Sequence, residues 1–142
     1  MKRVWIVDDD EEMTRAIGLM LKMLDCEVTS FRNARSAAQR LLTGKSPQLL
    51  LLDINMPELD GLSAYRRINQ IHPDTGCIII SAEKDTTTLR TAITVGVQEY
   101  LIKPFTVDEL EAAIARTSQH VQQTRQKLAQ SELLRRRNEA YL

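Results

Sequence analysis

The sequence predicts an α/β domain built on a doubly wound, five-stranded parallel sheet in the order 2-1-3-4-5, extended at its C-terminal end by a long helix. Three observations predict it. Four apolar runs each end in a polar residue: Val4-Trp5-Ile6-Val7 before Asp8-Asp9-Asp10, Leu49-Leu50-Leu51-Leu52 before Asp53, Cys77-Ile78-Ile79-Ile80 before Ser81, and Tyr100-Leu101-Ile102 before Lys103. Stretches of helical period separate these runs, as right-handed βαβ crossovers require. A fifth strand-like stretch, Cys26 to Phe31, alternates instead, with Glu27 and Thr29 facing away from Cys26 and Val28. Alternation marks a half-exposed edge strand, and continuous apolar runs mark central strands covered on both faces.

Taken in order, Val4 to Val7 is the first strand, followed by a helix striped with Met13, Ile17, Met20, Leu21 and Leu24. Its acidic opening, Asp10-Glu11-Glu12, suits the positive end of a helix dipole. After the edge strand, Asn33 caps a second helix that turns Ala37, Ala38, Leu41 and Leu42 inward, and Gly44 and Pro47 close it. Leu49 to Leu52 is the third strand. Ala64, Ile68 and Ile71 stripe a third helix, and Cys77 to Ile80 is the fourth strand. Leu89, Ala92 and Ile93 mark a fourth helix, Tyr100 to Ile102 the fifth strand, and a fifth helix begins near Val107.

A chain of 142 residues suits one domain with a proper core, and 43% hydrophobic with 27% charged residues is ordinary for a soluble globular protein. No stretch is long and apolar enough for a membrane span, and the start lacks the apolar core of a secretory signal, so the expectation is a cytoplasmic protein. Cys26 and Cys77 have no metal-ligand spacing and fall in strand-like runs, which suits buried, inert thiols. His72 and His120 have no ligand neighbours at metal spacing and belong on the surface.

Charge is unevenly spread. Residues 1–115 hold 13 Lys and Arg against 17 Asp and Glu, a balance of −4, and residues 116–142 hold 6 against 2, a balance of +4. Arg135-Arg136-Arg137 is a solvated helix face rather than a nucleic-acid site. The segment also lacks Gly and Pro and carries the fifth helix onward. A helix from Val107 to Leu142 would be about 54 Å long, more than a five-stranded domain needs. Ile114, Val121 and Leu128 recur every seven residues, but Thr117, Thr124 and Ser131 between them are polar, so a coiled-coil seam there is weak. The division expected is a globular domain over residues 1–118 and a helical linker over 119–142, packing against a second copy or an output domain.

Sites in open α/β sheets lie at the carboxyl edge of the strands. Asp8, Asp9, Asp53, Ser81 and Lys103 would all emerge there. Like charges in a poorly solvated crevice repel, so something cationic must compensate. Oxygen-only ligands suit a hard divalent ion such as Mg²⁺, and Lys103 is the natural second cation. An aspartate between a metal and an ammonium is a good phosphoryl receptor, because this transfer is catalysed mainly by alignment and charge neutralisation. Ser81 would donate to a phosphoryl oxygen, and Asp10 serves as a helix cap.

Val7-Asp8-Asp9-Asp10, Asp53-Ile54-Asn55-Met56-Pro57 with Asp60-Gly61, Ser81-Ala82-Glu83 and Lys103-Pro104-Phe105, in this order and spacing, resemble the motifs of response-regulator receiver domains from two-component signalling. The resemblance implies a flavodoxin-like fold with Asp53 as acceptor of a phosphoryl group from a histidine kinase. It implies Mg²⁺ on Asp9, Asp53 and the Asn55 carbonyl, with Asp8 reaching it mainly through water, and Lys103 pairing with Asp53 or its phosphate. It further implies a cis Lys103-Pro104 peptide, Ser81 and Tyr100 as the switch pair, and a helix 4/strand 5/helix 5 face that forms a homodimer together with the tail. Serine at 81 replaces the family's more frequent threonine and keeps the hydroxyl. Asn55 and Glu83 occupy the two variable positions that tune hydrolysis of the acyl phosphate. The output implied is transcription or second-messenger control; the opening Val4 to Asp10 is also similar to that of nitrogen-regulator-type activators. The alternatives are a stand-alone regulator acting by protein binding and a Mg²⁺-dependent phosphatase. The latter generally needs an acid at position 55, where this chain has Asn55.

Overall fold

Each apolar run forms a strand. The structure, a computed structural model, describes residues 1–54, 75–82, 90 and 99–140. Strands β1 (Lys2–Val7), β2 (Cys26–Phe31), β3 (Leu49–Asp53), β4 (Gly76–Ala82) and β5 (Glu99–Lys103) make one parallel sheet in the order β2-β1-β3-β4-β5. Helices α1 (Glu11–Met23), α2 (Ala34–Leu41) and α3 (Val107–Ala140) accompany it, α3 being the fifth helix of the sequence reading. The third and fourth expected helices, with Asn55, Asp60, Gly61, His72 and Glu83, lie outside the described residues.

The pleat divides the strand residues between two cores. Val4, Ile6, Leu49, Leu51, Ile78 and Ile80 join Ile17 and Leu21 of α1 and Leu110, Ala113 and Ile114 of α3 on one face. Trp5, Val7, Leu50, Leu52, Cys77 and Ile79 join Phe31 and Ala34, Ala37 and Leu41 of α2 on the other. Central strands are therefore apolar at every position because both faces are covered. Burial also raises both thiols, Cys77 beyond the usual range, which leaves them inert packing groups.

The caps follow from local chemistry. Asp10 Oδ1 accepts from the N–H groups of Glu12 and Met13 at 3.0 and 3.2 Å, starting α1. Asn33 Oδ1 accepts from Ser36 N–H at 2.8 Å, starting α2. Thr106 and Glu109 form a reciprocal capping box at the start of α3, with Glu109 N–H donating to Thr106 Oγ1 at 3.1 Å. Two expectations need correction. Leu42 is 81% exposed, because α2 ends at Leu41 and the apolar stripe outlasts the helix by one residue. The Tyr100 to Ile102 run is not fully buried: Tyr100 and Ile102 are partly exposed while Leu101 is covered, since β5 is an edge strand.

Helix α3 spans 34 residues, about 51 Å at the standard rise. Its docked part crosses β4 at Gly76, where an added Cβ would stand 2.5 Å from Thr117 Cγ2 and 3.2 Å from Val121 Cγ2. Thr117 cannot easily move, because it is buried and its hydroxyl donates to Ala113 O at 2.8 Å. Gly76→Ala is therefore expected to lose about 1–3 kcal/mol to overpacking, read as a lower denaturant midpoint; an unchanged midpoint would show that the helix relaxes freely. Past Val121 the helix is held by Glu132–Arg135, Glu132–Arg136 and Arg135–Glu139 pairs at 2.7 to 3.3 Å, worth about 0.2–0.5 kcal/mol each.

Candidate functional site

Three strand ends deliver the site. Chain leaving β1 carries Asp8 and Asp9, β3 ends on Asp53 and β5 ends on Lys103. Because the strands are parallel, with β1 beside β3 and β5 beyond β4, these residues meet at one edge, Lys103 reaching across on its long side chain. One carboxylate oxygen from each of Asp8, Asp9 and Asp53 lies within 4.8 Å of the others. Lys103 Nζ donates to Asp8 Oδ2 and to Asp53 Oδ2, both at 3.3 Å. Asp8 and Asp53 are buried and Asp9 is exposed, so the pocket has two sheltered acids and one facing solvent.

Burial pushes the Asp8 carboxyl up from its ordinary 3.8 to about 6. The Asp10 N–H, donating to Asp8 Oδ1 at 2.9 Å, pulls it down; the charge and hydrogen bonding of Asp53 push it up, and the Lys103 ammonium opposes them. Among the described residues, one ammonium, that of Lys103, serves two buried carboxylates. A hard divalent cation fits this donor set, because it has three carboxylates within chelating range, one of them open to water.

Ser81 lies on β4 opposite Ile102 in the β4–β5 register, fully covered, and its hydroxyl donates to the Ala82 carbonyl at 3.0 Å. Tyr100 is 44% exposed. The Lys103-Pro104 peptide is cis. Asn55 lies outside the described residues. The sequence reading paired Lys103 with Asp53 and missed its equal contact with Asp8; the signal available was that β1 and β3 are neighbours and that Asp8 directly follows an apolar run. Also missed was the bidentate pair of Arg116 with Glu99, at 3.0 and 2.8 Å, which fastens α3 to β5.

A 2-1-3-4-5 sheet with an acidic pocket bridged by Lys103 at its carboxyl edge defines a flavodoxin-like, doubly wound α/β domain. The model of the response regulator receiver domain matches residues 4–115, and the chain belongs to that family of two-component systems. The DNA-binding transcriptional regulator NtrC of Escherichia coli K12 is 36% identical over 123 residues, 87% of this chain and 26% of that protein. The transcriptional regulatory protein CrdR of Helicobacter pylori is 37% identical over 116 residues, 81% of this chain and 54% of that one. Among solved structures, NtrX from Brucella abortus matches with a TM-score of 0.79 at 25% identity, covering 90% of this chain and 29% of that chain. The chain spans about a quarter of the length of NtrC and about half that of CrdR.

Proposed function

We propose that Asp53 accepts a phosphoryl group from a histidine kinase, and that the domain uses this event to control an output. The observation that carries the reading is the convergence of Asp8, Asp9 and Asp53 within 4.8 Å, bridged by Lys103 at 3.3 Å from two of them. Transfer breaks the P–N bond of a phosphohistidine and forms a P–O bond to an Asp53 carboxylate oxygen. Lys103 then follows the charge from carboxylate to phosphate. Asp8, Asp9, Asp53 and the Asn55 carbonyl would hold Mg²⁺, which when bound neutralises charge developing on the phosphoryl oxygens. The domain turns over only its own phosphoryl group, and a general acid suited to external phosphoesters is missing at Asn55.

Phosphorylation adds roughly −1.5 to −2 charges. Ser81 would leave the Ala82 carbonyl for a phosphoryl oxygen, Tyr100 would turn inward, and the face made by helix 4, β5 and α3 would change. That face and the tail would form a homodimer. Residues 1–118 are the receiver and 119–142 the helical linker, with transcription as the output, a reading supported by the regulators named above. Acetyl phosphate with Mg²⁺ is expected to label the protein to near one equivalent in an acid-labile form, and a chelator to prevent it. Steady release of phosphate from an external phosphomonoester, without labelling, would favour the phosphatase alternative.

A further inference from the structure

At the opposite end of the sheet from the acids, a second concavity has the opposite electrostatic sign. Helix α2 stops at Leu41, and on its side of the sheet Arg3 of β1 and Glu27 of β2 are exposed while Trp5 stays buried. There Arg3 pairs in register with Glu27, and Trp5 with Thr29. The segment after α2 forms the other wall, enclosing about 540 Å³ lined by Arg3, Trp5, Glu27, Arg40, Lys45 and Ser46 among others.

Two of its three cations are held in place. Arg3 Nε donates to the Ser46 carbonyl at 3.2 Å, and the Arg40 guanidinium lies 5.8 Å from the centre of the Phe31 ring. Arg3, Arg40 and Lys45 form no ion pair among the described residues, and Glu27 is the sole acid in the lining. The groove therefore carries a formal balance of +2 on a domain whose residues 1–115 total −4. A cationic cleft of this size falls within the range of small-molecule sites. Arginine forks suit phosphate oxygens.

We infer that this groove binds a small organic phosphate, its dianionic phosphate set between Arg3, Arg40 and Lys45 and its hydroxyl-bearing body against Thr29 and Ser46. The inference is independent of the receiver reading, since it uses neither the acids nor Lys103.

Trp5, the chain's single tryptophan, lies buried in the groove wall, so its emission is read together with the calorimetric heat of binding. Ribose 5-phosphate and inorganic phosphate are titrated into the full chain at constant ionic strength, with a chelator present so that the acidic pocket cannot recruit anions through a metal. A saturable emission change is expected, with ribose 5-phosphate the tighter of the two. Arg40→Gln and Lys45→Gln should each weaken binding about twofold to fivefold, the scale of a single exposed ion pair. Glu27→Gln, which removes the only acid, should tighten it. Lys22→Gln makes the same charge change on α1, away from this groove, and should leave binding unaltered. The inference is overturned by no saturable response in emission or in calorimetric heat up to about 10 mM, beyond the millimolar range of useful affinity. It is also overturned if Lys22→Gln and Arg40→Gln respond alike, or if Glu27→Gln weakens binding. Equal affinity for both probes would overturn the assignment of an organic phosphate.

Discussion

Asp53→Asn is expected to abolish phosphoryl labelling while the domain stays folded. The side chain is 3% exposed at the end of β3, and its carboxylate is the buried acid that Lys103 reaches alongside Asp8. An amide of the same shape fills the same space, so the packing around β3 is kept. It is a poor nucleophile, however, and it offers a metal one neutral oxygen instead of a charged carboxylate. Labelling should fall by at least about 100-fold, the scale on which charge-organised sites lose function when one group is removed. Removing the charge also relieves Asp8, whose carboxyl the neighbouring Asp53 helps to hold up at about 6. The variant's unfolding midpoint is therefore expected at or above that of the parent. Labelling mass spectra and a thermal melt check both parts, and full labelling of the variant would move the acceptor elsewhere.

Lys103→Met tests the charge balance itself. The ammonium serves two buried carboxylates and is only 18% exposed, and methionine keeps most of the apolar stem. Breaking a buried pair by removing one partner typically costs about 3–5 kcal/mol, because the other charge is left uncompensated. Here part of that loss is avoided, since Asp8 can take up a proton, so about 1–3 kcal/mol is expected at pH 7.5. The sign with pH follows from Asp8. Its folded-state value of about 6 lies above its ordinary 3.8 and rises further without the ammonium. Proton uptake on folding therefore favours the fold at low pH, and that benefit is lost as pH rises through the folded-state value. The variant's deficit should shrink at pH 5 and, at neutral pH, in saturating Mg²⁺. Denaturant midpoints at the two pH values, with and without the ion, check this; a deficit indifferent to both would mean that Lys103 contributes by packing alone.

The sheet was legible because its signals are repeated along the chain. Alternation in Cys26 to Phe31 marked an edge and uninterrupted runs marked the centre, and the order 2-1-3-4-5 satisfies both. The acids and the lysine were legible for the same reason, since each follows a run that had to be a strand. What escaped the sequence depends on contacts between distant segments. Lys103 sits between Asp8 and Asp53, a placement set by the spacing of β1, β3 and β5 and not by any local pattern. Thr117 looked like a polar interruption of a weak seam, yet it is buried against Gly76 with its hydroxyl satisfied inside the helix. Leu42 looked like core because periodicity carries no record of where a helix stops. The cationic groove is assembled from Arg3 and, far from it in sequence, Arg40 and Lys45, which meet it where α2 ends.

The most direct measurement locates the phosphoryl group. Protein treated with acetyl phosphate and Mg²⁺ is reduced with borohydride, which converts an aspartyl phosphate to homoserine, and is then digested and sequenced by mass spectrometry. The account predicts homoserine at position 53 and unmodified aspartate at Asp8 and Asp9. Homoserine at either of those two, or none anywhere in a labelled protein, would contradict it.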